Sequence, residues 1–292
     1  MELDLSTIST QNQISNTANS AVITIKPRKN ISLADLFDLW LYRDLIWTLS
    51  VRDIQIRYKQ TILGAAWAVI QPLATSGVAT IIFGKFLGLA SNSLLEYFLS
   101  VFPAMILWTL FASILTQASN SLLSNAEMLR KVYFPRLIIP ISSAGAPLLD
   151  FSVSTVTLIL VLAIFAPASL LSLSVFPLIL LSVSISALGL GIALSALTAI
   201  YRDFRLILAF ITQLLFFLTP IMYPLREQIP SSWLPYFSLN PMFGTISALK
   251  ASLNNIPIDT QTLLISIVSG LVLFIFGIFI FGKIERRFAD VI

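Results

Sequence analysis

The sequence predicts an all-α integral membrane protein: six transmembrane helices, an amphipathic interface helix ahead of them, and both termini in the cytoplasm. Three observations carry this. From residue 151 to 201 the chain runs 51 residues without an Asp, Glu, Lys or Arg. A helix spans the ~30 Å hydrocarbon core with about 20 apolar residues, so this stretch holds two spans and a turn near Pro167. Hydrophobic residues make up 57% of the chain and charged residues 11%, against ~25% charged in ordinary soluble domains. Finally, the basic residues are distributed unequally between alternate loops.

Uncharged or nearly uncharged segments place the spans near 61–84, 99–122, 138–165, 175–199, 206–224 and 262–282. An even number puts both termini on one side. The region up to residue 60 carries Lys26, Arg28, Lys29, Arg43, Arg52, Arg57 and Lys59. Arg130, Lys131, Arg136, Arg202, Arg205, Lys283, Arg286 and Arg287 fall on the same side, leaving Lys85, Arg226 and Lys250 on the other. Lys and Arg are retained in cytoplasmic loops, so the termini are cytoplasmic. The same asymmetry accounts for the pI near 9.4 without any nucleic-acid partner.

The chain divides into a polar tail, 1–30, expected to be disordered; an amphipathic helix, 31–60; and a six-span domain, 61–292. The tail is rich in Ser, Thr, Asn and Gln and has no apolar run of signal-peptide length. In the helix, Ser32 and Asp35 have capping-box spacing, and Leu33, Leu36, Phe37, Trp40, Trp47 and Val51 share one side. Tryptophans on that side and basic residues beyond it place the helix in the membrane interface, with a bend expected at Asp44, which interrupts the face. In the fourth span Ala187, Gly191, Ser195 and Ala199 form a row of small residues that lets two helices approach closely in lipid.

A second amphipathic piece lies between the second and third spans. Ser124 and Glu127 have capping-box spacing ahead of a short helix expected to run to Phe134, where Pro135 stops it. Glu127 and Lys131 are four apart and can pair, while Met128, Leu129, Val132 and Tyr133 form an apolar face. A short helix that is apolar on one side and charged on the other, in a cytoplasmic loop, is suited to dock into a cytoplasmic partner.

Several chemistries are excluded by composition. The chain has no Cys and no His, so thiol nucleophiles, imidazole bases and Cys or His metal ligands are absent. A P-loop needs Gly-Lys-Ser/Thr, but Gly84-Lys85 and Gly282-Lys283 are followed by Phe and Ile. No catalytic, cofactor, metal or nucleotide site is expected in this chain. A membrane glycosyltransferase or polymerase would need grouped carboxylates; the 14 acidic residues are scattered, with one Glu-x-Asp pattern at Glu2 and Asp4. An ion-coupled transporter carries several intramembrane charges, whereas Asp150 alone falls inside an expected span. Asp150 is too short to snorkel and must face a polar cavity or a partner, such as the hydroxyls of the Ser-rich fourth span, or the transport path.

Arg57-Tyr-Lys-Gln-Thr-Ile-Leu-Gly64-Ala-Ala-Trp67 with Gln71-Pro72 resembles the entry to the first span of the polysaccharide-export permeases of ABC transporters, the type-2 exporter class. Asn125–Pro135 is similar to that family's cytoplasmic loop, and Phe217-Leu-Thr-Pro220-Ile-Met-Tyr-Pro224 to the end of its fifth span. Trp233 and Asn240-Pro241 match the external, partly embedded segment that follows. The matches fall in order from about residue 35 to the C-terminus.

The resemblance implies a homodimer in the bacterial inner membrane that exports a lipid-linked polysaccharide, whether O-antigen, capsule or a teichoic-acid-like polymer. It also implies two copies of an ATP-binding subunit, which hold ATP and Mg. The short loop helix then contacts the ATPase through Glu127, Arg130 and Lys131, with Arg57 and Tyr58 as a second contact. Trp67, Trp108 and Tyr133 are expected along the glycan path, because ring faces contact the apolar faces of sugars. A permease for small lipophilic compounds is the nearest alternative.

Overall fold

The computed structural model describes residues 40–285 apart from 60, 62, 91–92, 133, 167–173, 202, 224–228 and 231. The polar tail, the Ser32–Asp35 cap and Tyr133 lie outside the described residues. Every element among those described is helical. In chain order they are α1 (Arg43–Tyr58), α2 (Ala66–Ala79, continued as a π-helical stretch Thr80–Phe86), α3 (Leu94–Ser124), α4 (Ala126–Lys131), α5 (Ile138–Ser142) and α6 (Gly145–Phe165). After these come α7 (Phe176–Ile200), α8 (Phe204–Phe217), α9 (Leu234–Phe237), α10 (Pro241–Leu253) and α11 (Thr260–Glu285).

Five segments are long and apolar enough to cross a membrane: Ala66–Phe86, Leu94–Ser124, Ile138–Phe165, Phe176–Ile200 and Thr260–Glu285. They coincide with five of the six expected spans. The sixth, expected over 206–224, is the 14-residue α8, about 21 Å long at 1.5 Å per residue. The difference has a local cause. Thr219 precedes Pro220 and is steered away from helical backbone, so the chain leaves the helix at Leu218.

α3 and α7 form the centre of the bundle and are buried along most of their length. α11 packs along α7, and α10 is wedged among α11, α7 and α3, while α1, α2 and α6 lie around the other flank of α3. The row of small residues in α7 is buried, and a side chain at Gly191 would meet Ala118 of α3 at 2.6 Å. On the opposite face of α7 the approach is closer still. A Cβ at Gly189 would lie 2.5 Å from the Cα of Phe274, and one at Gly277 would collide with the Gly189 carbonyl oxygen.

The segment after α8 is held by three side chains from other helices. Lys250 Nζ donates to the Ile221 carbonyl at 2.7 Å, the Tyr97 hydroxyl donates to the Met222 carbonyl, and Asn240 Nδ2 donates to Thr219 Oγ1 at 3.0 Å. Asn240 also caps α10, its side-chain oxygen accepting from Met242 N. Lys250, expected as an external loop charge, is thus turned inward to satisfy backbone freed by the early end of α8.

Candidate functional site

α1 is more than a surface anchor. Its Leu49 and Ser50 are buried, and Ser50 Oγ donates to the Ser142 carbonyl at 2.9 Å. Gly145 permits that contact, since a Cβ there would meet Ser50 Cβ at 2.5 Å. Trp40 and Trp47 are 72% and 71% exposed, so the tryptophan side points away from the bundle and is available to lipid. The bend falls at Tyr42, just ahead of the helix, rather than at Asp44.

The end of α1 carries a partly buried charged pair. Arg57 Nη2 lies 2.6 Å from Asp150 Oδ2, and the Tyr58 hydroxyl donates to Asp150 Oδ1. Asp150 therefore takes its partners from α1 and not from fourth-span hydroxyls, and Arg57 and Tyr58 point toward α6. The three residues line a cavity of about 270 Å³ between α1, α2, α3 and α6, shared with Trp67, Gln71 and Ser154. Trp67 is 54% exposed there.

The short helix α4 differs from expectation at both ends. Ser124 remains in α3, Asn125 precedes α4 without a side-chain cap, and Val132 is already extended, so the helix stops at Lys131. Ser124 cannot cap a new helix while it continues the preceding one. The Asn125 side chain is engaged elsewhere: its oxygen accepts from Arg52 Nη2 at 2.7 Å and its Nδ2 donates to Ser121 O at 2.9 Å. Arg52 also approaches Met128 Sδ at 3.6 Å, with Asp53 holding the same guanidinium at 2.7 Å. Met128 and Leu129 pack inward with Leu49 and Leu137. Glu127, Arg130 and Lys131 are exposed, and Glu127 and Lys131 approach to 4.0 Å as expected.

Sequence reading did not single out Arg52, which joins α1 to α4. The available signal was its position on the charged side of α1, five residues before Arg57. Charge-assisted hydrogen bonds of this kind contribute ~1.5–3 kcal/mol, enough to set how α4 sits. Arg52→Ala should therefore loosen α4 without preventing assembly. The chain has no native cysteine, so a cysteine at position 128 reports this cleanly. Its labelling rate should rise severalfold in the Arg52→Ala background, and an unchanged rate would mean that packing alone holds α4.

Trp108 is nearly buried, packed between Phe111, tilted at 5.5 Å, and Phe216, edge-on at 5.3 Å. Its edge reaches a groove of about 670 Å³ between α3 and α8, whose walls include Asn120, Arg205, Thr212, Gln213 and Phe216. Arg205 Nε donates to Asn120 Oδ1 across it at 3.0 Å. Trp67 and Trp108 thus sit in two separate concavities.

The family model for the ABC-2 type transporter matches residues 44–254, from the start of α1 to the end of α10. The chain belongs to the ABC-2 type transporter family. As a member it is a multi-pass membrane permease, and an ABC ATP-binding partner is implied. It is similar to two O-antigen export system permease proteins RfbA of Klebsiella pneumoniae, 27% and 26% identical over 90% of this chain and the full length of each relative. A Myxococcus xanthus protein of the same name is 24% identical over 73% of this chain and 82% of its own length. The exposed charges of α4 and the groove beside α8 lie on different parts of the described residues. Arg52 and the Arg57–Asp150 pair join α4 to the interior through α1.

Proposed function

We propose that this permease is the transmembrane subunit of an ATP-driven exporter that moves a lipid-linked polysaccharide across the bacterial cytoplasmic membrane. In this reading it works as a homodimer with two copies of a separate ATP-binding subunit. The observation that carries it is end-to-end similarity to permeases named for O-antigen export. The groove supports it chemically: the Trp108 edge and the Phe216 ring offer aromatic surface, and Asn120, Thr212 and Gln213 offer amides and a hydroxyl. That combination suits a polymer of sugar rings and suits a small lipophilic compound poorly. α8 leaves Leu206, Phe210, Leu214 and Phe217 uncovered, an apolar row available to a second copy or to lipid.

α4 is the docking element for the ATPase, presenting Glu127, Arg130 and Lys131. Deleting the gene should remove the surface polysaccharide and leave its lipid-linked precursor inside the cell. Unchanged surface glycan together with new sensitivity to lipophilic compounds would overturn the cargo. Charge reversal tests the docking separately. Glu127→Arg and Arg130→Glu should leave membrane insertion intact while reducing co-purification with the ATPase, and export, at least tenfold, because like charges at a docked surface oppose binding. Normal export by both variants would remove α4 from the interface.

A further inference from the structure

The cavity at the end of α1 is separate from the groove beside α8, and its construction is that of a ligand site. α1 and α2 follow one another along α5 and α6: Ser50 meets Ser142, Arg57 and Tyr58 meet Asp150, and Ser154 Oγ donates to the Ala68 carbonyl at 2.6 Å. Among the described residues between them, Lys59 is extended and Gly64 has φ +46°, so α1 does not continue into α2. Asp150 stands twelve residues into the span that begins at Ile138, roughly 18 Å along it. Non-helical backbone at such depth is tolerated where it is buried in protein or lines a polar cavity. Broken helices are also where membrane transporters place ligands.

The charge balance selects the kind of ligand. Arg57 is neutralised by Asp150 at 2.6 Å, so the cavity is dipolar and not cationic, and a phosphate would meet the carboxylate as well as the guanidinium. A neutral polyhydroxyl group uses both. Each Asp150 oxygen keeps acceptor capacity and Arg57 keeps free donors beyond this pair. Gln71 is exposed to the cavity and its amide has no hydrogen-bond partner among the described residues. Trp67 supplies an open ring face. The volume of about 270 Å³ lies just under the ~300–1,000 Å³ of drug-sized sites, which suits a single sugar ring and excludes a polymer.

We propose that the cavity at the α1–α2 break binds one pyranose ring of the cargo, stacked on Trp67 and hydrogen-bonded by Gln71, Arg57 and Asp150. The proposal rests on the exporter reading and adds a saccharide site inside each protomer. The test is saturation-transfer NMR on the full-length permease in lipid nanodiscs, using the methyl pyranosides of glucose, galactose, mannose and N-acetylglucosamine. At least one should receive saturation at its ring protons. The effect should fall at least fivefold in Gln71→Leu, persist in the lipid-facing control Leu264→Ala, and withstand an equal concentration of inorganic pyrophosphate. Trp67→Ala is a second arm; should it fail to fold, Gln71→Leu carries the test. No transfer from any of the four, equal transfer in Gln71→Leu, or displacement by pyrophosphate would each overturn the site. Surface glycan that survives deletion of the gene overturns the exporter reading itself. Glycan lost on deletion with no saccharide binding overturns the cavity alone.

Discussion

Gly277→Val and Gly189→Val should each reduce folded permease to below a tenth of the wild-type amount. At these two positions the backbones of α7 and α11 touch. A Cβ at Gly189 falls 2.5 Å from Phe274 Cα, and one at Gly277 meets the Gly189 carbonyl. Neither obstacle is a side chain that could swing away, so the helices must separate. In lipid, helix association rests on close packing and not on exclusion of water, and loss of a small-residue contact has few compensations. Overpacking in cores costs ~1–3 kcal/mol even when neighbouring side chains can yield. Here the damage propagates, because α10 is wedged against the same pair through Gly270, whose missing Cβ leaves room for Ser186 Oγ beside Pro241. Gly77→Ala is the control, since nothing lies within 4 Å of its Cβ position. Size-exclusion chromatography of a fluorescent fusion in detergent reads the monodisperse fraction. Wild-type levels for Gly277→Val would show that the two helices do not cross so closely.

The architecture was legible wherever hydropathy alone decides it. Five spans agree with expectation to within about five residues at their ends, because lipid imposes one length on every apolar helix. α8 was misjudged because the apolar run continues past the point where Thr219-Pro220 breaks the backbone, and hydropathy does not register backbone. The same limit applies at α4. Ser124 and Glu127 have the right spacing for a capping box, but α3 runs on through Ser124 and Arg52 engages Asn125, a contact across 73 positions of sequence. The row at 187, 191, 195 and 199 was visible as a period of four. The tighter crossing was not, because Gly189 lies outside that row, and its partners in α11, Phe274 and Gly277, belong to no small-residue repeat. At the site, the need of Asp150 for a partner followed from its charge. That the partner would be Arg57 follows only from how α1 lies along α6.

The second large effect concerns that pair. Asp150→Leu and Arg57→Leu should each leave less than half of the assembled permease, and the double variant should recover most of what either loses. Removing one member of a buried ion pair leaves an uncompensated charge and costs ~3–5 kcal/mol, whereas replacing both by apolar groups is often near neutral. The two sides differ in burial: the Asp150 side chain is 15% exposed and that of Arg57 40%. A carboxylate left without its guanidinium retains the Tyr58 hydroxyl, and a guanidinium left alone can turn toward the open part of the cavity, so both single variants fall at the low end of that range. Asp150→Asn separates charge from shape, because its amide oxygen still accepts from Tyr58. It should assemble well, and export then reports whether the negative charge itself serves transport. If the double variant assembles no better than Asp150→Leu, the pair does not account for the fold at this point, and the carboxylate must be required for another contact. If the double variant assembles and cannot export, the pair holds a working part of the path and not merely α1 against α6. Fluorescence chromatography and surface-glycan immunoblots on the same cells distinguish these results.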